Sequence, residues 1–104
     1  MFAFLKNNQF TSINVNSLEK GKTTLIDIRE PNEYTRGSVP GAKNIPMLQL
    51  LSTPKKHLNE SKQYHIICQT GGRSLRACKV LSSLGYNVVN VSGGTNAYKR
   101  ILKK

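Results

Sequence analysis

One short loop contains the residues whose types and spacing could do chemistry. Cys68 is followed by Gln69, Thr70, two adjacent glycines and Arg73, and a helical pattern opens at Ser74. Glycines let the backbone curl tightly, so successive N–H groups can turn toward one centre. The loop is therefore predicted to form an anion cradle around a thiol.

Two further features favour the thiolate form of Cys68. The N-terminus of the next helix adds N–H donors and the positive end of a dipole, and Arg73 adds a full charge or a bracing contact. Because a free cysteine titrates near ~8.5 and such surroundings lower that value by about one to several units, we expect Cys68 to be largely ionised at neutral pH. A buried, inert thiol is the alternative, but it leaves the order of cysteine, double glycine, arginine and helix unexplained.

The second cysteine lies in a different setting. Cys78 is one turn into the predicted helix, beside Ala77 and near Leu81, without a flanking glycine or arginine. We interpret it as a small side chain packed in the core and not as a resolving cysteine. His65 is expected on the less buried face of its strand, away from the loop, with no role as a base.

Strands and helices alternate on both sides of the loop. Strands are predicted at about 13–15, 25–28, 42–45, 65–68 and 88–91, and helices after a capping box at 16–19, from Pro31, at 47–51, from Ser74 to Leu84 and at 95–102. The alternation predicts an α/β fold: a single compact domain with a mainly parallel β-sheet flanked by helices on both faces. Sites in such sheets form at the carboxyl ends of strands, where Cys68 lies.

Composition limits the chain to one core. Its 104 residues with 38% hydrophobic content predict one domain over 1–104. The apolar residues 1–5 are too few for a signal sequence and are interpreted as packing or fraying. The absence of a long apolar run predicts a soluble, cytoplasmic protein in which Cys68 and Cys78 are free thiols.

Positive charge is the strongest compositional signal. Sixteen Lys and Arg against 5 Asp and Glu give a formal net charge of +11. Such a field attracts small anions and polyanions alike, and a solvated Lys-rich surface would give the same count. Local concentrations occur only at Lys55–Lys56 and in the tail from Lys99 to Lys104. Because no RNA-binding motif accompanies them, nucleic acid is not an expected partner, and neither is a membrane.

Several blocks of the sequence, taken in order, resemble the rhodanese superfamily. The first covers residues 25–34, with LIDIRE followed by Glu33-Tyr34, and the second is GSVPGAKNIP at 37–46. The loop from Cys68 to Ser74 resembles the active loop of the family, and the glycines at 85 and 93–94 fit its closing blocks. The resemblance implies a rhodanese-like domain with a core at about 12–102.

The resemblance implies a thiosulfate sulfurtransferase-like enzyme. Cys68 would take sulfane sulfur from a donor such as thiosulfate, hold it as a persulfide and pass it to a thiol or to cyanide. The implied substrate-binding residues are Gln69, Thr70, Gly71, Gly72, Arg73 and Ser74. The N–H groups of residues 69–73 would stabilise the persulfide, Arg73 would attract the donor, and Ser74 would cap the helix. The implied partners are a small anionic donor, a thiol acceptor and a sulfur-relay protein; no cofactor or metal is implied.

Other residues in the blocks that resemble the family are expected to have structural roles and no chemical role. Asp27, Arg29 and Glu33 are expected to position turns through ion pairs and hydrogen bonds. Ser38 replaces a histidine common in the family, and Tyr98 replaces a frequent tryptophan. These departures concern packing and donor preference and leave the cysteine loop intact.

Two alternatives share the same loop. A cysteine-dependent phosphatase or arsenate reductase also holds a thiolate in an N–H cradle, but five residues separate its cysteine from its arginine, whereas four separate Cys68 from Arg73. A carrier module would hold the persulfide without turnover on free thiosulfate, and the sequence does not distinguish it from an enzyme.

Overall fold

The strands form one parallel sheet. A computed structural model describes residues 9–19 and 21–104, so the prediction for residues 1–5 lies outside the described residues. The strands are β1 (Thr11–Asn14), β2 (Leu25–Asp27), β3 (Lys43–Asn44), β4 (Gln63–Ile67) and β5 (Asn87–Ser92). They lie in the order β1-β5-β4-β2-β3, and every neighbouring pair is parallel. The predicted α/β architecture is confirmed.

Helices connect the strands. They are α1 (Pro31–Arg36), α2 (Met47–Ser52), α3 (Pro54–His57) and α4 (Gly72–Ser83), and short 3₁₀ turns lie at Val15–Ser17 and Thr95–Ala97. Pro31 occupies the first turn of α1, as predicted, because its fixed φ suits that position. Helix α3 has no counterpart in the sequence-based prediction. Among residues 9–19 and 21–104, no helix combines the length and the apolar character needed to cross a bilayer.

Apolar side chains cover both faces of the sheet. On β4, Tyr64 and Ile66 belong to one buried cluster, whereas Ile67 belongs to the other. Cys68 comes next and joins the first cluster, which includes residues of α4. Because successive residues of a strand point to opposite faces, this alternation directs the thiol to the face that α4 covers.

Helix α4 begins earlier than predicted and buries a different stripe. Its N-cap is Gly71, in a left-handed conformation with φ of 109°. The spacing of the apolar residues 77, 80, 81 and 84 predicts that they share one buried face, but Val80 and Leu84 are 42% and 51% exposed. The buried stripe consists of Ser74, Ala77, Cys78, Leu81 and Ser82. Four of these five side chains are small, so the helix can lie close to the sheet.

The predicted first helix is absent from the described residues at 16–19. The chain instead makes a 3₁₀ turn at Val15–Ser17, where the Asn14 side chain accepts the N–H of Asn16 at 2.8 Å. The Asn16 side chain bonds the Ala97 carbonyl and the Lys99 N–H, each at 2.9 Å. The prediction of a capping box was wrong because Asn16 ties two distant segments together and does not cap a helix.

The predicted terminal helix at 95–102 is also wrong. Only the 3₁₀ turn Thr95–Ala97 forms, and the chain beyond it is drawn back to residues 37–38. Lys103 forms an antiparallel bridge with Ser38, and Leu102 packs against the second cluster. These long-range contacts fix an extended path that overrides local helix propensity.

The turn after β5 approaches the Cys68 loop closely. The N–H groups of Thr95 and Asn96 donate to the carbonyls of Cys68 and Gln69, each at 2.9 Å. Gly94 has a φ of 63°, and a Cβ there would lie 2.5 Å from the Cys68 carbonyl oxygen. Only glycine allows this approach.

We expect Gly94→Ala to lower the free energy of unfolding by about 3 kcal/mol or more, because backbone strain adds to atomic overlap. Gly85→Ala is the matched control, since Gly85 has a φ of 96° and open space around its Cα; it should cost about 1 to 2 kcal/mol. Urea unfolding measures both. Equal costs would show that the close approach is unimportant.

Candidate active site

The sulfur of Cys68 lies at the junction of β4 and α4, surrounded by hydrogen-bond donors. The N–H of Gly71 is 3.1 Å from Sγ and the N–H of Ser74 is 3.3 Å away. The Ser74 hydroxyl lies 3.4 Å from Sγ. The cradle therefore includes Ser74, which the resemblance placed among the substrate-binding residues. The helix-capping role expected of Ser74 was wrong, because the helix begins two residues earlier and its N-cap is Gly71.

Two opposing effects act on the pKa of Cys68. Burial alone would raise the pKa of this thiol, because the residue is 1% exposed. Hydrogen bonds from the Ser74 side chain and from the N–H groups of Ser74, Gly71 and Thr70 outweigh burial, so the pKa lies below its ordinary value. The geometry thus favours a recessed thiolate.

The remaining loop residues do not all face the sulfur. Thr70 and Gly72 are exposed, and Gln69 is half-buried. The side-chain oxygen of Gln69 accepts a hydrogen bond from Arg29 at 2.9 Å. Within the described residues, the donors brought to the sulfur come from residues 70, 71 and 74, and not from the whole 69–73 segment.

Arg73 braces the loop. Its guanidinium group forms a two-pronged ion pair with Glu33 of α1, at 2.9 and 3.0 Å. The hydrogen bond from Arg73 holds the pKa of the Glu33 carboxyl at about 2, and Glu33 raises the pKa of Arg73 in turn. Glu33 offsets much of the positive charge of Arg73. Arg73 is therefore less available to an anionic donor than the sequence alone predicted.

A buried ion pair supports the loop from the neighbouring strand. Arg29 contacts Asp27 at 2.8 Å, and both side chains are almost fully buried. The guanidinium group also donates to Gln69 and to the carbonyl of Gly37 at 2.9 Å. A buried arginine needs such partners, and here they link β2 to the loop after β4.

A cleft of about 440 Å³ lies beside the loop. It is lined by Arg29, Glu33, Arg36, Gly37, Gln69, Thr95, Asn96, Tyr98, Arg100 and Leu102. Arg36 and Arg100 are exposed, and neither makes an ion pair among the described residues. No local motif marks Arg36 in the sequence, because the sheet topology places it in the same cleft as Gln69.

The other titratable candidates lie outside the cradle. Cys78 is fully buried, and burial raises its pKa to about 12, so its thiol stays protonated at neutral pH. His65 is half-buried, and burial lowers its pKa. Within the described part of the chain, no group of three His, Cys, Asp or Glu residues is placed to hold a metal ion.

We expect Glu33→Gln to lower the free energy of unfolding by about 0.5 to 1 kcal/mol at neutral pH, since the pair is partly exposed. Because the folded-state pKa of Glu33 is depressed, its contribution is complete above 4.5 and is lost as pH falls toward about 2. The difference between wild type and variant should vanish over that range. Glu60→Gln, which removes an exposed carboxylate, is the control; a Glu33→Gln deficit that persists in acid would contradict this account.

Known proteins are similar to this chain in sequence and in fold. The family model of the rhodanese-like domain matches residues 14–101. A sulfurtransferase of Allochromatium vinosum is 36% identical over 77 residues, covering 73% of this chain and 71% of that protein. Thiosulfate:glutathione sulfurtransferase of Homo sapiens is 32% identical over 100 residues, covering 84% and 85% of the two chains. The crystal structure of SSP1007 from Staphylococcus saprophyticus is 32% identical with a TM-score of 0.80, covering 91% of this chain and 100% of that one. The chain belongs to the family of rhodanese-like domains.

Proposed function

We propose that the chain is a sulfurtransferase in which Cys68 carries sulfur as a persulfide. The observation that carries this proposal is the convergence of the Gly71 and Ser74 N–H groups on a recessed sulfur at a helix N-terminus. These donors favour an anion at the sulfur both before and after loading. The sulfurtransferase from Allochromatium vinosum and the human relative support the reaction class.

The reaction takes two displacements at sulfur. The Cys68 thiolate attacks the terminal sulfur of thiosulfate, a new S–S bond forms, and sulfite leaves with the electron pair of the bond that breaks. An acceptor thiolate or cyanide then attacks the outer sulfur of the persulfide. The Cys68 thiolate is released, so the enzyme is regenerated without an external oxidant or reductant.

The recessed position of the sulfur supports a slender donor. Cys68 is 1% exposed, whereas Thr70 and Gly72 at the rim of the loop are exposed. A terminal sulfur atom can enter such an opening more easily than a tetrahedral phosphate, which needs more donors and more width. The short loop between Cys68 and Arg73 supports sulfur chemistry over phosphatase chemistry for the same reason.

The cleft beside the loop supports anionic donors and acceptors. Because Glu33 holds Arg73, we assign attraction of the donor to Arg36 and Arg100, which line the cleft with Gln69. Thiosulfate and many small thiols carry negative charge that two guanidinium groups would attract. The name of the human relative is consistent with such a donor and a thiol acceptor.

The first test compares two serine variants. Cys68→Ser should abolish sulfur transfer, because a serine hydroxyl cannot carry sulfane sulfur. Cys78→Ser should keep most activity, with a loss of stability from the buried site. Turnover with thiosulfate and either cyanide or a thiol measures both; equal losses in two folded variants would overturn the role of Cys68. Transfer from a cysteine desulfurase with no turnover on thiosulfate would assign the chain as a carrier.

The second test concerns the cleft. Arg36→Gln and Arg100→Gln should each raise the KM for thiosulfate about threefold or more while kcat changes little, because charge attraction acts on binding. Lys79→Gln removes the same charge from the exposed face of α4 and is the control. High salt should reduce the difference between variants and wild type. Equal KM values for all three variants would remove the cleft from the proposal.

A further inference from the structure

A chain of hydrogen bonds leads from the sulfur into the sheet. Ser74 Oγ, 3.4 Å from Cys68 Sγ, lies 2.6 Å from Asn90 Oδ1. Asn90 Nδ2 then donates to Ser12 Oγ at 3.3 Å. Ser74 is fully buried and Asn90 is 4% exposed, whereas Ser12 is exposed on the edge strand β1. These hydrogen bonds therefore connect the buried sulfur to the surface.

Strand register places Asn90 at this point. Asn90 lies on β5, paired with Ile66 of β4 on one side and with Ser12 of β1 on the other. Val88, two residues earlier, belongs to the cluster that α4 covers, and Asn90 shares that face of the strand. An amide among apolar residues is costly to bury unless it is hydrogen-bonded, and Ser74 and Ser12 supply its partners.

The Ser74 hydroxyl has one proton and several acceptors within reach. Its oxygen is 2.6 Å from Asn90 Oδ1, 3.1 Å from the Gly71 carbonyl and 3.4 Å from the sulfur. When Cys68 is a thiol, S–H donates to Ser74 and the Ser74 proton goes to Asn90. Each of these side chains then has a hydrogen-bond partner.

Ionisation of Cys68 changes this arrangement. A thiolate has no proton to donate, and the Ser74 hydroxyl is then the side-chain donor nearest to it. If that proton turns toward the sulfur, Ser74 Oγ and Asn90 Oδ1 face each other without a proton between them. Rotation of the amide by half a turn removes this repulsion, because Nδ2 then donates to Ser74. The Ser12 hydroxyl can serve either orientation, since it both donates and accepts.

We propose that Asn90 is a positioning residue whose side-chain amide rotates with the charge of Cys68. It presents Oδ1 to Ser74 when the sulfur is protonated and Nδ2 when the sulfur is a thiolate or a persulfide anion. The orientation of the Asn90 amide thereby determines whether the Ser74 hydroxyl donates its hydrogen bond to the sulfur or to Asn90. The proposal rests on Cys68 as the sulfur carrier, but thiol ionisation tests it independently of sulfur transfer.

Other charged groups act on Cys68 by different routes. Arg73, held by Glu33, interacts with the sulfur through its charge, and the Asp27–Arg29 pair lies behind Gln69. The Cys78 thiol on α4 stays neutral because burial raises its pKa. Among the described residues, none of these groups is hydrogen-bonded to Ser74 or Asn90, so substitution of Asn90 leaves their contacts in place.

Two substitutions of Asn90 should have opposite effects. In Asn90→Asp the carboxylate can only accept, so it keeps the Ser74 proton away from the sulfur and should reduce the thiolate fraction near neutral pH about tenfold. Asn90→Leu has similar volume and no acceptor, so Ser74 is free to donate and the thiolate fraction should equal or exceed that of wild type. Thiolate absorbance, taken as a difference from Cys68→Ser, gives the titration without requiring access to the sulfur.

Two controls separate the hydrogen-bond route from simple charge. Asn87→Asp adds the same charge to an exposed position of β5 and should shift the titration little. In a Ser74→Ala background, Asn90→Asp should lose most of its effect. Shifts of equal size and sign in Asn90→Asp and Asn90→Leu, or an Asn90→Asp effect that is undiminished without the Ser74 hydroxyl, would overturn the proposal.

A measurement on wild type covers the case in which the Asn90 variants fail to fold. The side-chain NH₂ resonances of Asn90 should shift with the same midpoint as Cys68 ionisation, because the amide changes partner. The shift should be absent in Ser74→Ala and Cys68→Ser. Asn90 resonances that stay constant through the titration of Cys68 would contradict rotation of the amide. Absence of sulfur transfer in wild type with this titration intact would instead overturn the proposed function and leave the rotation of the Asn90 amide supported.

Discussion

The charge of the Cys68 sulfur depends on the hydrogen bonds that backbone N–H groups donate to it. Burial opposes a negative sulfur, and the donors from Gly71 and Ser74 must outweigh it. They can do so only because the chain leaves β4 and enters α4 through a left-handed glycine, which turns N–H groups inward. The small buried side chains of α4 let the helix lie close to the sheet, and its first turn brings these donors within 3.3 Å of the sulfur.

Three separate contacts hold this loop in shape. Arg29 donates to Gln69 from the end of β2, and Glu33 holds Arg73 from α1. Beyond β5, the N–H groups of residues 95 and 96 donate to the carbonyls of the loop. The donors are therefore oriented before any substrate arrives, so little reorganisation is needed during reaction. Carbonyls that bond the turn after β5 point away from the sulfur, which leaves the N–H groups to face it.

The sequence predicted the parts of this site that depend on local patterning. Short apolar runs identified the strands. Two adjacent glycines followed by a helical pattern identified the loop after β4. Ser74 was placed in the substrate-binding loop but was given a helix-capping role, because the apolar pattern indicates a helix start two residues later than the actual start of α4. Asn90 and Arg36 were missed because sheet register and topology bring them to the site, and no local motif marks either one. The failed helices at 16–19 and 95–102 have the same cause, since contacts between distant segments determine both.

Formation of a persulfide on Cys68 is the central claim, and peptide mass spectrometry tests it most directly. The chain is incubated with thiosulfate, desalted and digested, with a cysteine persulfide as a second donor. The account predicts a gain of one sulfur atom on the peptide that contains Cys68, and its removal by cyanide. The contradicting result is that neither donor gives the adduct while the protein hydrolyses an aryl phosphate in a Cys68-dependent reaction. That result would favour phosphatase chemistry at the same loop.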